Sequence, residues 1–447
     1  MLDGSVVSVI LARSLDRGSE IAETIVHMKT LLILSQTFVP DPAAVGQHIG
    51  DVAVEMVRRG HRVVVYTSAR GYDDPSIVYP KYENLHGVEV HRLDFASFGK
   101  KSITTRVLGT ASFMLQSMFV SLSTRDLGGI FFSTSPPLIG SVAVLAHWLR
   151  GIPIAYWAMD LNPDQLVAMG KLGPNDLITR VLEVANKIIL EESSFVVALD
   201  RFMADRLNAR ANVASKMLVM PPWPHDEHVE PLDHDKNPFR SAQGLDGKFV
   251  VMYSGNHSPA NPLRTLLDAT LAFKDDAGIQ FMFIGGGLGK KEVEEHIRTH
   301  DVTNVVSLPY QPMEQLRYSL SAADVHVVSL GDNMVGIVHP CKIYGAMAVG
   351  RPILYLGPKP SHVSDLLDEH DIGVHVSHGD VEGTVRAIRQ LRGLLPEKRE
   401  AMGRLAQRVM SERLSQKILC SRFCDDLERA LGGSDMGATV SPGTSMG

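Results

Sequence analysis

Hydrophobic positions along the chain change period repeatedly from Met28 onward. "LLILS" (31–35) is a continuous apolar run and reads as a buried strand. "QHIGDVAVEMVRRGH" follows it, with Ile49, Val52, Ala53, Met56 and Val57 on one helical face and Gly60 placed as a C-terminal cap. "RVVVYT" (62–67) closes this first β-α-β unit, and the pattern recurs at "VEVHRL", "GGIFFSTS", "IPIAYWA" and "FVVALD". Such alternation predicts a mostly parallel sheet with helices on both faces. The proline-rich stretch 221–238, "PPWPHDEHVEPLDHDKNP", breaks the pattern and reads as a linker. A second series then runs "KFVVMYSGN", "IQFMFIGGG", "NVVSLPY", "DVHVVSL", "RPILYLG" and "IGVHVS", each followed by a helical stretch. The expected fold is α/β, with two doubly wound, Rossmann-like domains over 28–220 and 239–410 facing a central cleft. Residues 411–432 read as a C-terminal helix that packs back on the first domain, and 433–447 as a disordered polar tail. Residues 1–27 read as an extension ahead of a start at Met28.

One segment departs from this alternation. In 98–126, Lys100, Lys101 and Arg106 lead into a mostly apolar run from Thr110 to Ser123. It is too short to span a bilayer but suits a helix lying on a membrane surface, with basic residues toward anionic headgroups. An ordinary core-facing helix fits the same pattern, and apolar excess alone does not separate the two.

Composition narrows the class. A chain of 447 residues suits two domains. A formal charge of −6 gives no basic face for nucleic acid. Cys341, Cys420 and Cys424 are too few for a disulfide framework, and the Cys420-x3-Cys424 pair supplies too few ligands for zinc. No apolar run is long enough to be a membrane span, and the first residues lack the basic region of a signal peptide. The expected location is the cytoplasm, either free or peripheral at the inner face of the membrane.

In open α/β sheets ligands bind beyond the carboxyl ends of the strands, so the candidate chemistry is sought in those loops. Gly46 opens a helix after the first strand, where a ligand can approach the backbone. Asp160 follows "IPIAYWA" and is placed to orient a hydroxyl, although an Asx-turn role suits it equally. Asn256 and His257 follow the first strand of the second domain. Gly285, Gly286 and Gly287 precede a helix, but match neither a P-loop nor the dinucleotide fingerprint. Tyr310 edges the same cleft. Lys342 stands in the first turn of "KIYGAMAVG", where a cation opposes the helix dipole unless an anion answers it.

In the order and spacing of "LILSQTFVPDPAAVGQHIGDVAVEMVRRGHRVVVYT", "TSPPLIG", "MDLNPDQ", "VVMYSGNHSPANPLRTLLDA", "FIGGG", "LPYQP", "SAADVHVVSL" and "HPCKIYGAMAVGRPIL", the chain resembles the retaining GT-B glycosyltransferases of family 4. The resemblance is to the bacterial branch that builds O-antigen, capsule and exopolysaccharide, and it spans Met28 to about Glu428. It implies transfer of a hexose or N-acetylhexosamine from a nucleotide-diphosphate sugar to a glycan or polyprenyl-linked acceptor, with retention and without a bound metal or other cofactor. Carried across, it makes Asp160, His257 and Lys342 the catalytic candidates. Gly46, Asn256, Gly285, Gly286, Gly287, Tyr310, Asp332, His339, Lys342 and Tyr344 become the donor-binding set. The chain departs from the family at several points. Asn256 and Asn261 stand where an arginine and a lysine are usual, and Val335 to Ile337 and Gly345 where two glutamates are. The alternative consistent with those losses is a catalytically silent GT-B subunit that supports a partner transferase.

Overall fold

A computed structural model of the chain describes residues 29–41, 43–71, 74–96, 103–225 and 231–432. The expected extension 1–27 and tail 433–447, together with Lys100, Lys101 and the side chain of Arg106, lie outside the described residues.

Eight strands form the first sheet: β1 (Thr30–Leu34), β2 (Arg62–Ser68), β3 (Tyr82–Leu85), β4 (Val88–Leu93), β5 (Leu127–Phe132), β6 (Ile154–Trp157), β7 (Phe195–Ala198) and β8 (Met217–Val219). Their order is β3-β4-β2-β1-β5-β6-β7-β8, all parallel except for the β3–β4 pair. Successive side chains of β1 alternate between two cores. Leu31 and Ile33 meet the helix Ala44–Arg58, while Leu32 and Leu34 meet the helices Ile103–Ser123, Ile139–Arg150 and Leu177–Glu192 on the opposite face. The antiparallel β3 was not foreseen. Its connection to β4 turns at His86 and Gly87, both with positive φ, and the Gly87 N–H donates to the Asn84 side-chain oxygen at 2.9 Å.

The second sheet holds β9 (Phe249–Ser254), β10 (Ile279–Ile284), β11 (Val305–Leu308), β12 (Val325–Ser329), β13 (Ile353–Leu356) and β14 (Gly373–Val376). They run parallel in the order β11-β10-β9-β12-β13-β14. Both sheets are thus doubly wound, and the chain reverses direction across β1 and β9, where Rossmann-like sheets open their ligand crevices.

Several contacts set the two domains against each other. The Leu161 N–H donates to the Ile337 carbonyl at 3.0 Å, and the Arg206 guanidinium to the Val335 carbonyl at 2.8 Å. Gly336 has φ +69, and a Cβ there would lie 2.6 Å from the Phe202 backbone, so only glycine seats this turn against the first domain. The last helix, Gln416–Ala430, returns to the first domain and packs along Ala44–Arg58. Phe423 is fully buried, with ring centroids 4.5 Å from Trp157 and 5.6 Å from Phe131. Arg59 donates to Asp425 at 2.6 Å and Glu428 at 2.8 Å. These ion pairs are partly exposed and contribute little beside the aromatic burial.

The segment 98–126 contributes the helix Ile103–Ser123, which serves the core: Phe113, Ser117 and Val120 are buried against the sheet. Its outer side is also apolar, for Leu108, Leu115, Phe119 and Leu122 are exposed along one stripe. The helix Leu177–Glu192 has a second outer stripe of Leu177, Ile178, Val181 and Val184. Among the described residues no helix is long and apolar enough to cross a membrane.

Truncating Phe423 leaves a cavity among three aromatic rings. Phe423→Ala should lower unfolding stability by about 3–5 kcal/mol, read as a reduced urea midpoint, whereas Arg59→Ala should cost less.

Candidate active site in the interdomain cleft

The loops after β9, β10 and β12 and the turn before the helix Lys342–Ala348 converge at the cleft face of the second domain. Their meeting depends on glycine. Gly255 has φ +135, and a Cβ there would lie 2.5 Å from Lys342 Cε, so its absence admits the lysine stem. The ammonium stands 5.5 Å from the Tyr253 ring centroid. Lys342 is half-buried, and loss of hydration pushes its pKa down to about 8. Among the described residues no carboxylate answers it. The helix that it opens has only seven residues, so burial, more than the helix dipole, makes this charge costly.

The glycine loop after β10 uses its freedom to lock onto the β9 loop. A Cβ on Gly285 (φ +140) would fall 2.0 Å from the Gly255 carbonyl oxygen, and one on Gly287 (φ +118) 2.3 Å from Asn256 Oδ1. The His257 N–H donates to the Gly286 carbonyl at 2.7 Å, and Gly289 N–H to the His257 carbonyl at 2.8 Å. Lys290 crosses the same junction, donating to the Gly285 and Leu308 carbonyls at 3.0 Å each. Tyr310 is exposed and covers Gly286. Asn256 is exposed beside it. Gly46 behaves in the same way, its Cβ position only 2.9 Å from the Phe38 nitrogen. These glycines admit the protein's own backbone.

His257 does not stand open to the cleft. Its side chain is fully buried beneath the interlocked loops, edge-on to Tyr253 at 5.1 Å, and neither ring nitrogen has a hydrogen-bond partner. Burial lowers its pKa, so the ring is neutral near pH 7. A phosphate reaches it only if the Gly285–Gly287 loop lifts.

His339 and Tyr344 form a bridge between the domains. Asp200, at the end of β7, accepts from Met203 N–H at 2.9 Å as a helix cap. Its other oxygen pairs with His339 Nδ1 at 3.1 Å. With that nitrogen donating, His339 Nε2 accepts the Tyr344 O–H at 2.7 Å, and the Tyr344 oxygen lies 3.3 Å from His362 Nε2. Both His339 nitrogens are therefore taken, and the expected contact of His339 with a sugar is not available in this arrangement. The pairing with His339 holds the Asp200 carboxyl below the usual range. Although no metal was anticipated, ligand atoms of Asp200, His339 and His362 lie within 4.8 Å of one another, as do those of His48, Asp51 and His225. In the first group the atoms already bond to one another or to Tyr344. Asp332 is exposed on the turn after β12. Gly345 is buried within its helix.

Asp160 faces this assembly from the first domain and acts electrostatically on the Cys341 thiol. It lines a cavity of about 90 Å³ with Phe132, Tyr156, Asn162, Leu182 and Asn186. Burial raises its pKa to about 6. The structure thus brings Lys342, Asn256, Tyr310 and Asp160 toward the cleft, and places His257, His339 and Tyr344 in its supporting walls. Tyr253, Gly255, Asp200 and His362 were not singled out in the sequence. Of these, only Gly255 carried a signal, as a glycine directly after a strand.

Residues 43–223 match the family described as glycosyl transferase 4-like domain, and residues 248–393 match glycosyl transferases group 1. The chain belongs with the glycosyltransferases, and its two domains are those of the GT-B fold. It is 23% identical over 400 residues to the probable glycosyltransferase WbjE of Pseudomonas aeruginosa, covering 89% of this chain and 97% of the relative. It is 22% identical over 409 residues to the putative colanic acid biosynthesis glycosyl transferase WcaI of Escherichia coli K12, covering 89% and 99%. Its fold matches Anabaena HepE in complex with UDP and glucose at a TM-score of 0.67 and 16% identity, over 90% of this chain and 100% of that one. Sucrose-phosphate synthase of Thermosynechococcus elongatus matches at 0.71 and 15%, over 91% and 100%.

The lowered pKa of Lys342 fixes the sign of a pH effect. In the empty cleft the ammonium is lost above about pH 8, so a diphosphate that requires it should bind evenly below pH 8. Its dissociation constant should rise by up to about tenfold per pH unit above. Titration calorimetry with a nucleoside diphosphate across pH 7 to 10 measures this, and Lys342→Arg, which stays charged, should flatten the curve.

Proposed function

We propose that this glycosyltransferase moves a hexose or N-acetylhexosamine from a nucleotide-diphosphate sugar to a lipid-linked glycan acceptor, with retention, in cell-envelope polysaccharide assembly. The observation that carries the reading is Lys342, a half-buried cation without a protein counter-ion at the mouth of the second domain's sheet. A diphosphate supplies the missing charge. The printed roles of WbjE and WcaI, and the UDP and glucose held by HepE, agree with that donor class.

In this reading the diphosphate lies against Lys342, with the Asn256 amide and Tyr310 beside it and the backbone of Gly286 near the nucleotide. As the bond from the anomeric carbon to the diphosphate breaks, charge grows on the leaving oxygen, and the ammonium stabilises it in a site of low dielectric. Asp160 accepts a hydrogen bond from the incoming acceptor hydroxyl and orients it on the same face of the sugar that the diphosphate leaves. The hydroxyl proton passes to the departing diphosphate, which balances the step. These residues require no bound cofactor for that sequence, and the nucleotide sugar enters as substrate.

Thermal unfolding of the pure protein with saturating UDP, GDP, ADP and dTDP in parallel tests the donor site. At 100 times its dissociation constant, a bound diphosphate adds about 2.7 kcal/mol, and the midpoint should rise with one base above the others. Lys342→Ala should abolish both that shift and turnover while leaving the unliganded midpoint near the parent value. An absence of any shift would favour the silent-subunit alternative. Asp160 generates a separate expectation. Its carboxylate is protonated below about pH 6, so turnover should fall as pH drops through 6, and Asp160→Asn should be slow with no such acid limb in its rate profile.

A further inference from the structure

The helices Ile103–Ser123, Ile139–Arg150 and Leu177–Glu192 lie side by side on one face of the first sheet. Eleven of the twenty-one exposed large hydrophobic side chains among the described residues lie on these three helices. Phe119 on the first is 73% exposed, Trp148 on the second 57%, and Ile178 on the third 61%. A contiguous apolar face of this extent marks an interaction surface. We infer that it seats the first domain on an anionic lipid surface, with the helix Leu177–Glu192 forming the part of that surface nearest the Asp160 cavity.

Two observations select lipid as the occupant. The first is charge. From Phe95 to Arg125 the sequence holds Lys100, Lys101, Arg106 and Arg125 and no acidic residue. A segment with only cations beside an apolar stripe complements anionic headgroups. The second is continuity with the Asp160 cavity. Leu182 and Ile189 of the third helix line that cavity together with Asp160, Asn162 and Asn186. Ile178 lies one helical turn before Leu182 and faces outward. An amphiphile whose polar head reaches Asp160 can therefore lay its apolar chain along Ile178 and Val181 without leaving the surface. This second point rests on the transferase reading, while the first stands without it. The face thus extends past the helix Ile103–Ser123 and includes a helix whose outer stripe gave no signal in the sequence.

Vesicle co-sedimentation of the full chain tests the inference, with phosphatidylcholine vesicles and with vesicles containing a third phosphatidylglycerol. The protein should bind the anionic vesicles more strongly, and less so as salt rises. Phe119→Asp and Val181→Asp should each lower the partition coefficient about tenfold or more, while the nucleoside-diphosphate thermal shift of the parent is retained. Both sites are exposed, so the folded variants are obtainable, and the shift reports that the donor domain is intact. No binding of the parent to either vesicle overturns the inference. Unchanged binding by Val181→Asp overturns the role of the third helix. A parent that is dimeric by light scattering, bound to no vesicle and made monomeric by these substitutions, would assign the face to a second copy and overturn it as well. Vesicle binding without any nucleotide shift would support the lipid face and count against the donor site.

Discussion

A single uncompensated charge organises the cleft. Lys342 loses hydration as its stem passes Gly255 and its ammonium approaches the Tyr253 ring, and no carboxylate repays that loss. The lysine is placed this way because the turn that carries it is held from both sides. His339, three residues earlier, is tied to Asp200 of the first domain, and Tyr344, two residues later, joins the same hydrogen-bonded chain. The strain of a desolvated cation is thereby borne by contacts that span both domains. This is the preorganisation that stabilisation of a leaving diphosphate requires, because the charge is in place before it is used.

The interlock of the β9 and β10 loops has a different origin and the same effect. Positive φ at Gly255, Gly285 and Gly287 brings two strand ends to within a backbone's width of each other. His257 is sealed beneath them with its polarity unmet, a cost of order 1–3 kcal/mol for a buried unpaired group. The surroundings that hold the ring there also keep it neutral, so it adds no second positive charge beside Lys342. The two asparagines that stand where cations are usual are consistent with this economy of charge in the second domain.

Most of the fold was legible because parallel strands buried on both faces read as continuous apolar runs. All twelve strands anticipated from such runs are present, with ends shifted by a residue or two. β3 escaped because it is an edge strand with alternate residues exposed, so it lacks an apolar run, and β8 because three residues carry no period. Lys342 was legible from its position before a helix of small residues. The Gly285–Gly287 loop was also visible, but sequence could not say that its glycines admit neighbouring backbone. The Asp200–His339 pair joins residues 139 positions apart, and the burial of His257 is decided by a loop on another strand. Neither leaves a local trace. The outer stripe of the helix Leu177–Glu192 was hidden because its core face has the same composition.

The return of the helix Gln416–Ala430 to the first domain gives the chain an unusual connectivity for a two-domain protein. Viewed as topology, the second domain is an insertion, entered near residue 223 and left near residue 415, and both ends of the described chain belong to the first. Two covalent crossings in place of one restrict the relative motion of the domains to rotation about the line that joins them, and exclude a free swing on a tether. The same connectivity sets the boundaries for domain exchange. A donor domain grafted from a relative has to be spliced at both crossings, leaving Phe423 and its helix with the acceptor half, because a cut at the linker alone would strand Trp157 and Phe131 without the ring that covers them.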